Sequence, residues 1–293
     1  MTKHVFGGDW TTDKLERVRK YLCAYTNIFR VNKRARYFTT TYVDAFAGGG
    51  YREERTQPAA DAELWGINDR DADTFRKGSA RMALEVDPTF DHYLFIERSQ
   101  QRVTELEQLA EEFKGRSIQI VQAEANTYIK SWCAQMNWSN NRAVVFLDPY
   151  GMQVDWATLE AIARTKAVDL WDLFPVGVGV NRMLTQGKKP PDPWARTLTR
   201  VLGTDWEDAF YSERSEPTLF GDESITEKRA SFEAIATFFN ERLKSIFARV
   251  ARNPLWLENS THSPIYLLCF AASGNARVAR LAVKIAEDIL GKL

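Results

Sequence analysis

Short apolar runs alternate with helix-spaced apolar residues over the first 174 positions, and this rhythm constrains the fold more than any other feature. The runs are Thr41-Tyr-Val-Asp-Ala-Phe46, Tyr93-Leu-Phe-Ile96, Ser117 to Val121, Ala143-Val-Val-Phe-Leu147 and Ala167 to Phe174. Helical spacings fall between them: a segment around Arg76 to Glu85, then Val103, Leu106, Leu109, Ala110 and Phe113, then Tyr128, Ile129 and Trp132, then Trp156, Leu159 and Ile162. Strands that keep returning through helices build a parallel sheet covered on both faces. Upstream, Leu15, Val18, Leu22, Tyr25 and Phe29 recur at three and four, which predicts an amphipathic helix over 12–29. The expected fold is α/β, a doubly wound, mostly parallel sheet of about seven strands behind an N-terminal helix.

The rhythm breaks at Pro175. Lys188-Lys-Pro-Pro-Asp-Pro193 reads as loop, and Phe232, Ile235, Phe239, Leu243, Ile246 and Val250 mark a long helix. Ile265 to Ala271 then reads as a late strand, followed by a closing helix on Val278, Leu281, Ala282, Ile285 and Ile289. The expected organisation is a core over 1–174, a mostly helical insert or cap over 175–263, and a return to the core over 264–293.

Composition narrows the function classes. Lys plus Arg and Asp plus Glu both total 39, so no global field draws the chain to nucleic acid or a membrane, and any basic patch is local. Lys33, Arg34 and Arg36 form a basic connection into the first strand, and Arg182, Lys188, Lys189 and Arg196 with Trp194 in the insert read either as a solvated basic loop or as a local nucleic-acid patch. Cys23, Cys133 and Cys269 are far apart in apolar segments, and His4, His92 and His262 are equally scattered, so no metal site is expected. Without an apolar leader or a membrane-spanning run, the expected location is cytoplasmic.

In an open parallel sheet, ligands bind beyond the carboxyl ends of the strands. Four consecutive strand ends here carry suitable groups: Asp44 with Phe46, Ala47, Gly48, Gly49 and Gly50, then Glu97, then Glu124 with Asn126, then Asp148-Pro149-Tyr150-Gly151. The glycines let backbone approach a ligand closely. A carboxylate after the second strand suits ribose hydroxyls, and an acid or amide after the third suits an adenine amino group. The glycine run lacks the G-x-G-x-x-G spacing of a dinucleotide site, and there is no P-loop lysine. An adenosine cofactor without phosphates, S-adenosylmethionine, is the ligand expected.

Trp10-Thr-x-x-Lys14-Leu15, Tyr42-Val-Asp-Ala-Phe-Ala-Gly-Gly-Gly50, Phe146-Leu-Asp-Pro-Tyr-Gly151 and Phe270-Ala-Ala-Ser273 together resemble the three-Cys-motif partner protein (TcmP) family. That family is similar to the Rossmann-like class I S-adenosylmethionine-dependent methyltransferases. The resemblance implies Asp44 and Gly48 to Gly50 at the methionine end, Glu97 on the ribose, Glu124 and Asn126 near adenine, and a companion protein with a three-cysteine motif. Asp148, Pro149 and Tyr150 stand where amino-methyltransferases carry Asp-Pro-Pro-Tyr, which implies a catalytic role. Tyr150 replaces the second proline, Gly151 takes the aromatic position, and Gly49 replaces a proline usual in the first turn. Two readings follow: methyl transfer to an amine on RNA or DNA, or a non-catalytic partner that uses the fold to dock its companion.

Overall fold

The computed structural model of the chain describes residues 10–47, 78–203, 206–218, 221–259 and 261–291. Gly48 to Gly50 and the polar stretch after them lie outside the described residues. Helix α1 (Trp10–Val31) leads into β1 (Thr39–Asp44), and a helical segment over 78–84, α2, precedes β2 (His92–Glu97). The alternation continues through α3 (Gln100–Glu112), β3 (Ile118–Gln122), α4 (Ala125–Gln135), β4 (Asn141–Leu147), α5 (Trp156–Arg164) and β5 (Val168–Phe174). These five strands are parallel and lie in the order β3-β2-β1-β4-β5. The chain winds outward from β1 to β3, then crosses back to β4 on the other side of β1. The fold is Rossmann-like, and its winding reverses between β1 and β4.

After Pro175 come a π-helical turn (Val176–Asn181), α6 (Asp192–Leu202), α7 (Trp206–Phe210) and α8 (Phe232–Ile246). Between α7 and α8 stands an antiparallel hairpin, β6 (Tyr211–Thr218) with β7 (Gly221–Lys228). Sequence periodicity does not announce it, because both strands are polar and carry no apolar alternation. Gly177 sits where the π-helical turn meets the sheet: a Cβ there would fall on the carbonyl oxygen of Pro264.

The sheet closes with β10 (Pro264–Ala272), antiparallel to β5, and α9 (Ala276–Leu290) packs back on it. Two short strands share the outer edge of β10: β9 (Leu255–Glu258) pairs with its first half and β8 (Arg249–Val250) with its last two residues. Eight strands thus fill seven positions, because one edge position is split between two pieces.

Period-two alternation sorts the strand side chains into two cores. Tyr42, Tyr93, Phe95, Val144, Phe146 and Trp171 face α1, α2 and α9, whereas Val43, Leu94, Ile96, Val145, Leu147 and Leu170 face α4, α5, α6 and α8. Tyr21 of α1 packs on Phe270 and Trp171 at 4.7 and 5.5 Å between ring centroids. Each such buried ring contributes about 2 kcal/mol, enough to fix α1 on the sheet. Arg17 donates to the carbonyls of Ile289 and Leu290 and closes the C-terminus of α9, where a cation is favoured.

Candidate active site

Asp44 is the last residue of β1 and pairs in register with Phe146 of β4, so the residues beyond both strands share the crevice at the reversal point. Its carboxylate accepts from Ser79 Oγ at 2.8 Å and from the backbone N–H of Phe46 at 3.3 Å. Burial pushes Asp44 up to about 7; the Asp148 charge adds to that, while Ser79, Phe46 and Lys14 oppose it. The half-buried Phe46 and buried Ala47 continue the turn. Ala45 N–H donates to Phe146 O at 3.2 Å and Ala47 N–H to Ile96 O at 3.1 Å, which ties the turn to the ends of β4 and β2.

Asp148 follows β4 on the same sheet face as Asp44. Its Oδ2 accepts from Lys14 Nζ at 2.7 Å, the two side chains being 5% and 0% exposed. Lys14 reaches in from the start of α1, and its ammonium lies 5.7 Å from the centroid of the Phe146 ring. A buried charge without a partner costs several kcal/mol, so each of these groups is tolerated through the other. Pro149 is buried and Tyr150 half-buried, with the Tyr150 N–H donating to Gln153 Oε1 at 3.2 Å. Gly151 has φ of +71°, a conformation open to glycine and strained for an aromatic residue. Arg200 of α6 braces the segment by donating to Met152 O at 2.6 Å and pairing with Asp155 at 2.5 Å.

Glu97, buried at the end of β2, accepts the N–H of Ser99 on Oε1 at 2.6 Å. Glu124 is the N-cap of α4. Its Oε1 accepts from the backbone and side-chain nitrogens of Asn126 at 2.9 and 2.8 Å, and its Oε2 from Thr127 N and Oγ1, both at 2.8 Å. Burial alone would raise this carboxyl, but the four hydrogen bonds outweigh it and hold Glu124 down to about 2. Asn126 is buried and engages both ends of its amide: Nδ2 also donates to Gln153 O at 2.9 Å, and Oδ1 accepts from Asp155 N and Thr158 Oγ1, each at 2.9 Å. It ties the end of β3 to the segment that follows Asp148-Pro149-Tyr150-Gly151.

The expected site residues thus fall into two groups. Asp44, Phe46, Ala47, Glu97, Asp148, Pro149 and Tyr150 cluster at the ends of β2, β1 and β4, while Glu124 and Asn126 frame the β3 end through a saturated hydrogen-bond network. Gly48, Gly49 and Gly50 lie outside the described residues.

Sequence reasoning misses three polar groups: Lys14, Ser79 and Asp172. Lys14 has a readable signal, since it precedes Val18, Leu22 and Tyr25 by four, eight and eleven and so occupies the apolar stripe of α1. Asp172 also has one, as one of two acids, with Asp169, inside the apolar run Ala167 to Phe174. It sits in β5 opposite Leu147 and faces the second core. Its Oδ1 has no hydrogen-bond partner among the described residues, and it borders a cavity of about 10 Å³ walled by Pro149, Gly151, Phe174 and Phe239. Burial, assisted by the Asp148 charge, pushes Asp172 up to about 7. Among the described residues no three His, Cys, Asp or Glu side chains gather as a metal site. No helix among them is long and apolar enough to cross a membrane.

No protein-family model matches the chain, and no curated protein matches it. Among solved structures, it is similar to protein LPL1258 of Legionella pneumophila str. Philadelphia 1, a DUF519 protein, with 10% identity and a TM-score of 0.51 over 97% of this chain and 92% of that one. A putative methyltransferase of Escherichia coli, yhhF, aligns with 13% identity and a TM-score of 0.29 over 73% of this chain and 87% of that one. At such identities the likeness to LPL1258 is one of fold.

Proposed function

We propose that this chain binds S-adenosylmethionine at the carboxyl ends of β1 to β4 and transfers its methyl group to an amine on nucleic acid. The observation that carries the reading is the meeting of Asp44 and Asp148-Pro149-Tyr150 where the sheet reverses its winding, with Lys14 clamped onto Asp148. The donor set fits the cofactor: Glu97 offers a carboxylate at the ribose position, and a carboxylate accepts several hydrogen bonds at once, so the Ser99 bond is compatible with ribose hydroxyls. Asp44 orders the turn that carries the methionine end. Glu124 and Asn126 shape the adenine end through the turns they hold.

The cofactor supplies an electrophilic methyl on a sulfonium. The remaining work belongs to the chain. Asp148 and the backbone around Pro149 accept the amine hydrogens and aim the nitrogen lone pair, and Tyr150 offers an aromatic face to a base turned out of its stack. Lys14 pairs with Asp148 and fixes the orientation of its carboxylate.

The companion-docking reading has one observation in its favour, since Asp148 is almost wholly buried and its Oδ2 is held by Lys14. In that reading the three-cysteine protein either opens the site or is the sole client of the fold. Calorimetry with S-adenosylmethionine on wild type, Glu97→Gln and Asp44→Asn tests the cofactor: wild type binds, Glu97→Gln binds at least ten-fold more weakly, and an inert wild type overturns the proposal. Radiolabelled methyl transfer into RNA and DNA, with and without the companion, separates the readings. Cofactor binding and co-purification without transfer in either case favour docking.

A further inference from the structure

At the opposite end of the sheet, where α1 runs into β1, the chain carries no acid between Glu16 and Asp44, while Arg30, Lys33, Arg34 and Arg36 fall within seven positions. All four are exposed, as are Val31 and Tyr37, at 69% and 65%. Arg36 turns back to donate to the carbonyl of Arg30 at 3.0 Å. The nearby Asp91 uses Oδ2 on Thr40, accepting from N at 2.7 Å and from Oγ1 at 2.9 Å. Among the described residues, no acid pairs with the side chains of Arg30, Lys33 or Arg34.

An aromatic column rises through this patch. The guanidinium of Arg142, anchored to the carbonyls of Trp138 and Asn141 at 2.8 and 2.6 Å, lies 3.8 Å from the centroid of Phe38. Phe38 lies 4.0 Å from Tyr37 with the ring planes 32° apart, and Phe29 braces it edge-on at 6.1 Å. The column is fixed at its base and ends in the exposed ring of Tyr37. Cations near the end of α1 complement the helix dipole, which accounts for some of the charge. It does not account for an exposed tyrosine set against Phe38, itself covered by the Arg142 guanidinium, beside those cations.

We infer that this patch is a binding surface for single-stranded nucleic acid, with a base stacked on Tyr37 and phosphates held by Lys33, Arg34 and Arg30. An exposed aromatic face with several cations close by in the chain suits a strand with unstacked bases. A membrane would need a wider apolar wedge than Val31 and Tyr37 supply. The patch lies about 25 Å along α1 from Lys14, so it would hold a strand well away from the candidate site. The inference stands on its own geometry and is tested apart from methyl transfer.

The test is fluorescence anisotropy with labelled single-stranded RNA and DNA of about 16 nucleotides, titrated at several salt concentrations, alongside vesicles containing phosphatidylserine. Tyr37→Ala is expected to weaken oligonucleotide binding about ten-fold, and Tyr37→Phe to retain it. Lys33→Ala with Arg34→Ala is expected to reduce the slope of log affinity against log salt by about 1.4, at about 0.7 for each single-strand phosphate left without its cation. These positions are exposed, so thermal melts should match wild type, and S-adenosylmethionine calorimetry should be unchanged. The inference is overturned if wild type fails to bind either oligonucleotide at low salt, if the variants bind as wild type does, or if the chain prefers vesicles to oligonucleotides.

Discussion

Asp148 and Asp172 lie on neighbouring strands, one position beyond alignment in the register, yet they face opposite sides of the sheet and settle their charge in opposite ways. Asp148 faces α1 and meets Lys14, whereas Asp172 faces the helices of the second core, where its Oδ1 finds no partner among the described residues. A buried carboxylate can be paired with a cation or have its charged form disfavoured; Asp148 takes the first course and Asp172 the second, while Asp44 and Asp169, on the same face as Asp148, are raised to about 7 as well. What sets Asp148 apart is its direct partner, the buried Lys14 of α1. Among the described residues, only α1 brings a fully buried lysine to its stripe.

The strongest way to break the comparison is to remove the cation. Lys14→Met keeps most of the aliphatic stem but leaves Asp148 buried without its ion-pair partner, which is expected to cost about 3–5 kcal/mol in denaturant unfolding. Adding Asp148→Asn should recover most of that loss, because the uncompensated charge is then gone. If Lys14→Met alone costs less than about 1 kcal/mol, the pair is not what makes Asp148 tolerable, and the contrast with Asp172 falls.

Asp172 gives the next largest effect, and its sign is fixed by the direction of its shift. Its folded value, about 7, is raised above the ordinary 3.8, so between those values the folded protein holds a proton that the unfolded chain releases. The stabilisation is complete below the unfolded value and lost as pH rises through about 7. Asp44 and Asp169, also raised to about 7 by burial, act in the same direction. Wild type should therefore be more stable near pH 5 than near pH 8 as far as these groups are concerned. Asp172→Asn should remove part of that slope, leaving stability at pH 5 little changed and raising it at pH 8 by about 1–3 kcal/mol. Unfolding at the two pH values measures this directly, and an unchanged slope would show that Asp172 ionises without cost.

The same contrast explains what was legible in the sequence. The sheet was, because β2 and β4 carry the unbroken apolar runs Tyr93-Leu-Phe-Ile96 and Ala143-Val-Val-Phe-Leu147 that suit a doubly covered strand, although β1 opens on three threonines and β5 holds two aspartates. The strand-end positions were legible too, since an acid directly after such a run stands at the crevice by topology. The partners of those acids were not. Lys14 and Asp148 are 134 positions apart, and a lysine in an apolar stripe names no partner until the helix is docked. Ser79 reaches Asp44 across 35 positions for the same reason. The hairpin β6–β7 escaped because its strands are polar in sequence and carry no apolar alternation.

Glu124 shows a third way to settle a carboxylate, with hydrogen bonds and no cation, and it gives the smallest of these effects. Held down to about 2 against an ordinary 4.5, it contributes stability that is present above 4.5 and lost as pH falls through about 2. Because Glu124 is exposed, solvent screens much of that contribution, and the helix cap is the better measure of its size. Glu124→Ala should cost about 1 kcal/mol at pH 7, and Glu124→Gln less, since an amide oxygen can still accept the Asn126 or Thr127 N–H. The alanine substitution also releases Asn126 Nδ2 from Oε1 while leaving its bond to Gln153 O. If Glu124 serves only as a cap, the change in S-adenosylmethionine affinity should stay within about two-fold while stability falls, which corresponds to about 0.4 kcal/mol. A larger loss of affinity with the same loss of stability would place the β3 end in direct contact with the cofactor.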